Sequence, residues 1–168
     1  MAPPIWNPGQ VLLSSDVNNW FVPQVAVKTA DQSRTSNTTL AADSELVLSN
    51  LAVGATYFFV CILLYTGGTG GASDIKWQWS ASASASLRYH AIYTGAGGAS
   101  NTGNSFSQLD VVAGRTQGAG VNCGVTMIGS YTQGAFSAAL SLTWAQNTSS
   151  ATATILNKQS ILYCVRVS

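Results

Sequence analysis

Few side chains in this sequence can do chemistry, and they are scattered. His90 is the only histidine, so a Ser-His-Asp arrangement would have to use it. No Gly-x-Ser-x-Gly elbow is present to hold a nucleophilic serine, and His90 reads as a partly exposed strand histidine. Asp43 and Glu45 lie two apart at a strand start and can share a face, the beginning of a calcium site, but solvation at a turn is the preferred reading. Glycosidase chemistry needs two opposed carboxylates in a cleft, and the chain has six acids in all. The glycine-rich stretch 66–73 lacks the Gly-Lys-Ser/Thr ending and the following helix of a phosphate loop, and reads as a strand connection. Cys61, Cys123 and Cys164 each sit in an apolar, strand-like segment without Cys-x-x-Cys spacing. They read as small buried hydrophobes rather than zinc ligands or a disulfide framework. The expectation is no enzyme, no metal and no cofactor.

The aromatic residues leave two readings open. Trp77 and Trp79 share a strand face, and Tyr65, Tyr89 and Tyr93 could join them as a sugar-stacking platform. Large aromatics also fill sandwich cores well, and the core is the preferred reading.

The elements that would position these residues are strands. Residues 57–65 form the longest apolar run, and residues 75–80 alternate Ile75, Trp77 and Trp79 against Lys76, Gln78 and Ser80. Period-two alternation marks a strand with one buried face. Two such runs around a glycine-rich loop predict a hairpin at the centre of the fold. Residues 136–146 repeat the pattern, with Phe136, Ala138, Leu140, Leu142 and Trp144 facing in. Further strands are expected at 25–28, 34–40, 45–51, 87–93, 106–113, 121–131, 151–156 and 161–167. Turns are expected at 41–44 and 147–150, a long loop at 94–105, and a low-complexity Ser-Ala stretch at 80–86. The total predicts an all-β fold, an antiparallel β-sandwich of about ten strands, jelly-roll-like in its connections. An immunoglobulin-like sandwich is the alternative.

Composition narrows the setting. Of 168 residues only 8% are charged, and the net charge is +1. A soluble domain usually carries about 25% charged residues, so much of this surface is expected to be covered by copies of the chain or by a larger assembly. A Ser/Thr-rich extracellular β domain is the bland alternative. The seven cations are scattered, and a phosphate-binding surface needs them clustered, so nucleic acid is not an expected partner. The run 57–65 is far shorter than the roughly 20 apolar residues a membrane helix needs, and no membrane partner is expected. The first residues carry no basic region followed by an apolar one, so synthesis in a cytoplasm without export is expected. The sequons at Asn37 and Asn147 then match by chance.

Residues 1–23 read as an N-terminal arm preceding the sandwich domain 24–168. Pro3, Pro4 and Pro8 favour extended backbone, and residues 14–20 allow at most a short helical turn capped by Ser14 or Ser15. Ile5, Trp6, Leu12, Val17 and Trp20 are apolar for an arm and are the candidate anchoring residues. Residues 57–65 are apolar on both faces, and a strand apolar on both faces is covered on both sides. Phe58, Val60, Ile62 and Leu64 are therefore the candidate subunit contact.

Two segments carry a family resemblance. Trp6-Asn7-Pro8-Gly9-Gln10-Val11-Leu12, followed by Asp16-Val17-Asn18, resembles the N-terminal segment of small virion and fibre-like proteins of tailed bacteriophages. The region from Trp20-Phe21-Val22-Pro23 through Lys28-Thr29-Ala30-Asp31-Gln32-Ser33-Arg34-Thr35 to the apolar run is similar to a domain in virion proteins of phages infecting actinobacteria, of the minor tail and capsid decoration types. The second half agrees in composition and strand pattern only, and the Ser-Ala stretch replaces a more proline- or glycine-containing segment. The resemblance implies a non-enzymatic virion structural protein, made in the host cytoplasm and placed on the outer surface of the particle. It implies a homotrimeric capsid decoration (cement) protein whose arm binds the major capsid protein. The alternative it implies is a minor tail or fibre-tip protein, with tail proteins or a host surface carbohydrate as partner.

Overall fold

The structure, a computed structural model, describes residues 8–11, 13–14, 22–68, 74–95, 98 and 100–168. The anchoring candidates Ile5, Trp6, Leu12, Val17 and Trp20 lie outside the described residues, as does nearly all of the expected helical turn. From residue 24 onward every element among the described residues is a strand: β1 (Gln24–Val27), β2 (Gln32–Arg34), β3 (Ala41–Leu48), β4 (Thr56–Thr66), β5 (Ile75–Ser80), β6 (Ser86–Thr94), β7 (Ser100–Ser107), β8 (Val112–Gly114), β9 (Cys123–Thr132), β10 (Leu140–Gln146), β11 (Thr154–Leu156) and β12 (Ile161–Arg166).

The strands form two antiparallel sheets. The large sheet runs β1-β12-β4-β9-β6-β7, with β11 continuing beside β4 and β2 pairing with β11; the small sheet runs β3-β10-β5-β8. The interleaved orders β1-β12-β4-β9 and β3-β10-β5-β8 are those of a jelly-roll-like sandwich, with the hairpin β6–β7 added at one edge of the large sheet.

Alternation explains which residues meet between the sheets. Phe59, Cys61, Leu63 and Tyr65 of β4, Leu87, Tyr89 and Ala91 of β6, and Val125, Met127 and Tyr131 of β9 are all buried. They join Ile75, Trp77 and Trp79 of β5 and Leu140, Leu142 and Trp144 of β10 in one hydrophobic cluster. Trp77 packs edge-on to Tyr93 at 5.3 Å between ring centroids, so the aromatics fill the core. Arg34 stacks over the Trp144 ring at 4.3 Å, and the Trp144 indole N–H donates to Gln32 Oε1 at 3.1 Å. The short strand β2 is thereby tied to the small sheet.

Five local expectations are corrected. Of the strand expected at 34–40 only Arg34 lies in a strand, the end of β2. β4 and β5 are not a hairpin: β4 pairs with β9 and β12, and β5 with β10 and β8. Each has an inward apolar face, and the two faces lie across the core from each other. Phe136 does not face in. It is 73% exposed, because the strand begins only at Leu140. Residues 41–44 belong to β3 rather than to a turn. Last, the expected loop 94–105 contains most of β7, and a turn near 108–110 separates β7 from β8.

Candidate assembly interface

The strand parity that buries the core leaves a second face on the large sheet. Register places residues on it in rows. One row runs Val25, Tyr163, Val60, Ile128 and His90 across β1, β12, β4, β9 and β6. A second runs Val27, Ile161, Ile62, Thr126 and Ile92, and a third Val165, Phe58, Ser130 and Arg88. Paired residues on one face of adjacent strands touch, so these side chains form one continuous surface. Phe58 is 42%, Ile62 37%, Ile128 44% and Ile92 56% exposed. Arg88 is the only Lys, Arg, Asp or Glu in the three rows.

The sequence-derived contact residues therefore lie together. Phe58 and Ile62 are exposed and Val60 and Leu64 half-buried on this outer face, while Phe59, Cys61 and Leu63 point inward. Sequence reasoning missed Val25, Val27, Ile92 and Ile128. The only signal for Ile92 and Ile128 was their parity opposite buried neighbours. For Val25 and Val27 hydrophobicity misleads, since the partners that turn inward are Ala26, half-buried, and Lys28, buried.

A second group of exposed apolar residues marks one pole of the sandwich. Residue 22 enters β1 there, and Val22, Val53, Phe136 and Val167 are exposed. Backbone bonds tie these segments together: Gly54 N–H donates to the Gln133 carbonyl, Gln133 N–H to the Ala55 carbonyl, and Val167 N–H to the Thr56 carbonyl. Gln133, buried, donates through its amide to the carbonyls of Phe136 and Ala138 at 2.8 and 3.1 Å and receives the Tyr131 hydroxyl. The tip that carries Phe136 is thus fixed in place.

The opposite pole holds an open cleft of about 390 Å³, lined by Asp31, Asn122, Asn157, Lys158 and Gln159 over Leu64 and Ile155. Asp31 accepts the Lys158 backbone N–H at 2.7 Å, and Asn157 donates to Asn122 at 3.2 Å.

Candidate chemistry is placed as follows. His90 is exposed in the outer face. Asp43 and Glu45 both face the ammonium of Lys28, at 2.8 and 3.1 Å, so a lysine occupies the position considered for calcium. Among the described residues no group of three His, Cys, Asp or Glu side chains could hold a metal ion. The three cysteines are buried and unpaired.

No family model matches the chain, and no curated protein matches it. Among solved structures, the tripod (BppUct-A-L) from the baseplate of bacteriophage Tuc2009 is similar over 99% of this chain and 75% of its own, with 8% identity and a TM-score of 0.36. The infectious bursal disease virus Gt strain structure aligns over 98% of this chain and 45% of its own, with 12% identity and a TM-score of 0.20.

Proposed function

We propose that the chain is a non-enzymatic structural protein of a phage virion, a homotrimeric capsid decoration protein on the outer surface of the particle. The observation that carries the assembly is the apolar outer face of the large sheet. At about 4.8 Å between strands and 3.4 Å per residue, five strands give an apolar area on the order of 400 Å². That is about the size of the largest apolar patch on a typical monomer, which is often functional. A standard interface takes about 800 Å² from each partner, so the face supplies roughly half of one. The occupant is a second copy of this chain. The arm, which joins β1 at the edge of the same sheet, supplies the remainder through Ile5, Trp6, Leu12, Val17 and Trp20. Those residues, with the apolar pole of Val53 and Phe136, also hold the trimer on the major capsid protein. The resemblance of the first half of the chain to virion proteins of phages infecting actinobacteria supports the same setting.

The test has two arms. Light scattering on the intact chain is expected to give a trimer, and the double variant Ile62→Asp, Ile128→Asp a folded monomer. A variant that stays trimeric overturns the face. Purified protein is expected to coat undecorated capsids, and deletion of residues 1–21 to abolish coating. Unchanged occupancy overturns anchoring by the arm.

The second reading, a minor tail or fibre-tip protein binding host carbohydrate, is favoured by the hydrogen-bonding side chains of Asp31, Asn122, Asn157 and Lys158 around one open cleft. A handful of copies in each purified particle, instead of a number matching the capsid lattice, selects it.

A further inference from the structure

The chain buries a lysine in its interior. Lys28 follows β1 and continues the inward parity of Ala26, and it is 2% exposed. Its backbone is held in place from both sides, by Lys28 N–H to the Ser160 carbonyl and by Gln159 N–H to the Lys28 carbonyl, each at 2.8 Å. Opposite it, β3 bulges. Val47 pairs with Ser141 and Ala42 with Thr143, so residues 43–46 are looped out of the ladder. Asp43 fills the bulge and its side chain lies wholly out of water, as does that of Lys28.

The two oxygens of Asp43 have different surroundings. Oδ1 accepts two backbone N–H groups, those of Glu45 and Leu46, each at 2.9 Å. Oδ2 receives the Lys28 ammonium at 2.8 Å. Glu45 Oε2 meets the same nitrogen at 3.1 Å. Glu45 is itself oriented by Thr29, whose backbone N–H donates to Oε1 at 2.8 Å and whose hydroxyl donates to the same oxygen. An amine thus lies against a carboxyl group away from competing water. Two N–H donors are aimed at one carboxyl oxygen, the arrangement that stabilises a tetrahedral oxyanion, and a second carboxylate touches the amine as a proton acceptor.

From this geometry we propose that Lys28 and Asp43 join in an intramolecular isopeptide bond that forms without a cofactor. Within the pair a proton passes from the ammonium to Oδ2, leaving an amine and a carboxylic acid. Lys28 Nζ attacks Asp43 Cγ, and the charge that develops on Oδ1 is held by the N–H groups of Glu45 and Leu46. Glu45 takes a second proton from the nitrogen and passes it to Oδ2. The Cγ–Oδ2 bond breaks and one water leaves. An ammonium and a carboxylate become a neutral amide and water, so charge and atoms balance and no oxidant is needed. The product replaces a buried ion pair, which is costly to desolvate, with an amide whose oxygen keeps both backbone donors. The bond ties β1, a four-residue edge strand that carries the arm, to the opposite sheet. Tension on the arm then meets a covalent link instead of four ladder positions. The inference stands whether or not the chain belongs to a virion.

The experiment is intact-mass measurement of the purified full chain under denaturing conditions, then proteolysis. The expected mass is lower than the sequence mass by one water, and digestion is expected to give a branched peptide joining the segments around Lys28 and Asp43. Glu45→Gln is expected to fold, with its cysteines protected from thiol reagents, and to retain the water wholly or for longer. A folded wild-type chain at full mass overturns the proposal and leaves Lys28–Asp43 an ion pair. A loss of water in Glu45→Gln as fast as in wild type overturns the role of Glu45.

Discussion

The rings of Phe59 and Trp79 meet edge to face across the sandwich, 5.0 Å between centroids and 88° between planes. Phe59 belongs to the large sheet and Trp79 to the small one, and both are buried. Such a pair adds about 0.5–1.5 kcal/mol to the burial of its members. Phe59→Ala removes a fully enclosed ring, and the expected destabilisation is about 3–5 kcal/mol. Urea unfolding followed by tryptophan fluorescence measures it. A loss under 1 kcal/mol would mean that this contact does not hold the sheets together.

Gly129 lies in the large sheet's ladder opposite Phe59 on one side and Tyr89 on the other. A Cβ at this position would overlap the Arg88 carbonyl oxygen and Tyr89 Cα. Both are backbone atoms of the neighbouring strand, so they cannot swing aside. Gly129→Ala is expected to lower stability by about 1–3 kcal/mol, as overpacking does. Thermal melting of the variant checks this, and an unchanged melting temperature would show that β6 can move away from β9.

Glu45 carries a pH dependence. The Thr29 hydroxyl and backbone N–H, with Lys28, lower its carboxyl from 4.5 to about 2. A group whose folded pKa is depressed contributes stability above its unfolded pKa and loses it as pH falls through the folded value. Wild type is therefore expected to exceed Thr29→Ala, which keeps Lys28, Asp43 and Glu45, in stability at pH 5, with the difference shrinking as pH falls below 4.5 toward 2. Denaturant titrations of both proteins at several pH values would reveal it. A difference independent of pH would remove the ionised Glu45 from the account.

The thiols should be silent in the native protein. Burial pushes Cys164 up to about 12 and also raises Cys61 and Cys123. The thiolate is the reactive form, so a chromogenic disulfide reagent is expected to label none of the three promptly at pH 8 and all three in denaturant. Rapid native labelling of Cys61 or Cys164 would show that the sandwich opens.

Much of this was legible in the sequence. Alternation identified the inward residues of β5, and of β10 from Leu140 onward, because a pleated strand sends successive side chains to opposite faces whatever its partner. The same logic found Phe58, Val60, Ile62 and Leu64, since the run 57–65 leaves an apolar surplus after its inward face is filled. Val25, Val27, Ile92 and Ile128 escaped notice because each lies in a short or ordinary strand, and only the register brings them beside β4.

The sequence by itself determined that the chain is an antiparallel sandwich and which side chains such strands as β5 and β10 bury. Tertiary structure alone decided which strands pair, and so which outer faces join. Ladder hydrogen bonds link backbone groups common to all residues, so periodicity reports a face but no partner. For that reason 57–65 and 75–80 read as a hairpin yet lie in opposite sheets. For the same reason Lys28 and Asp43, 15 residues apart, gave no sign of meeting: a bulge in β3 turns one carboxylate inward to where the end of β1 has already turned an amine.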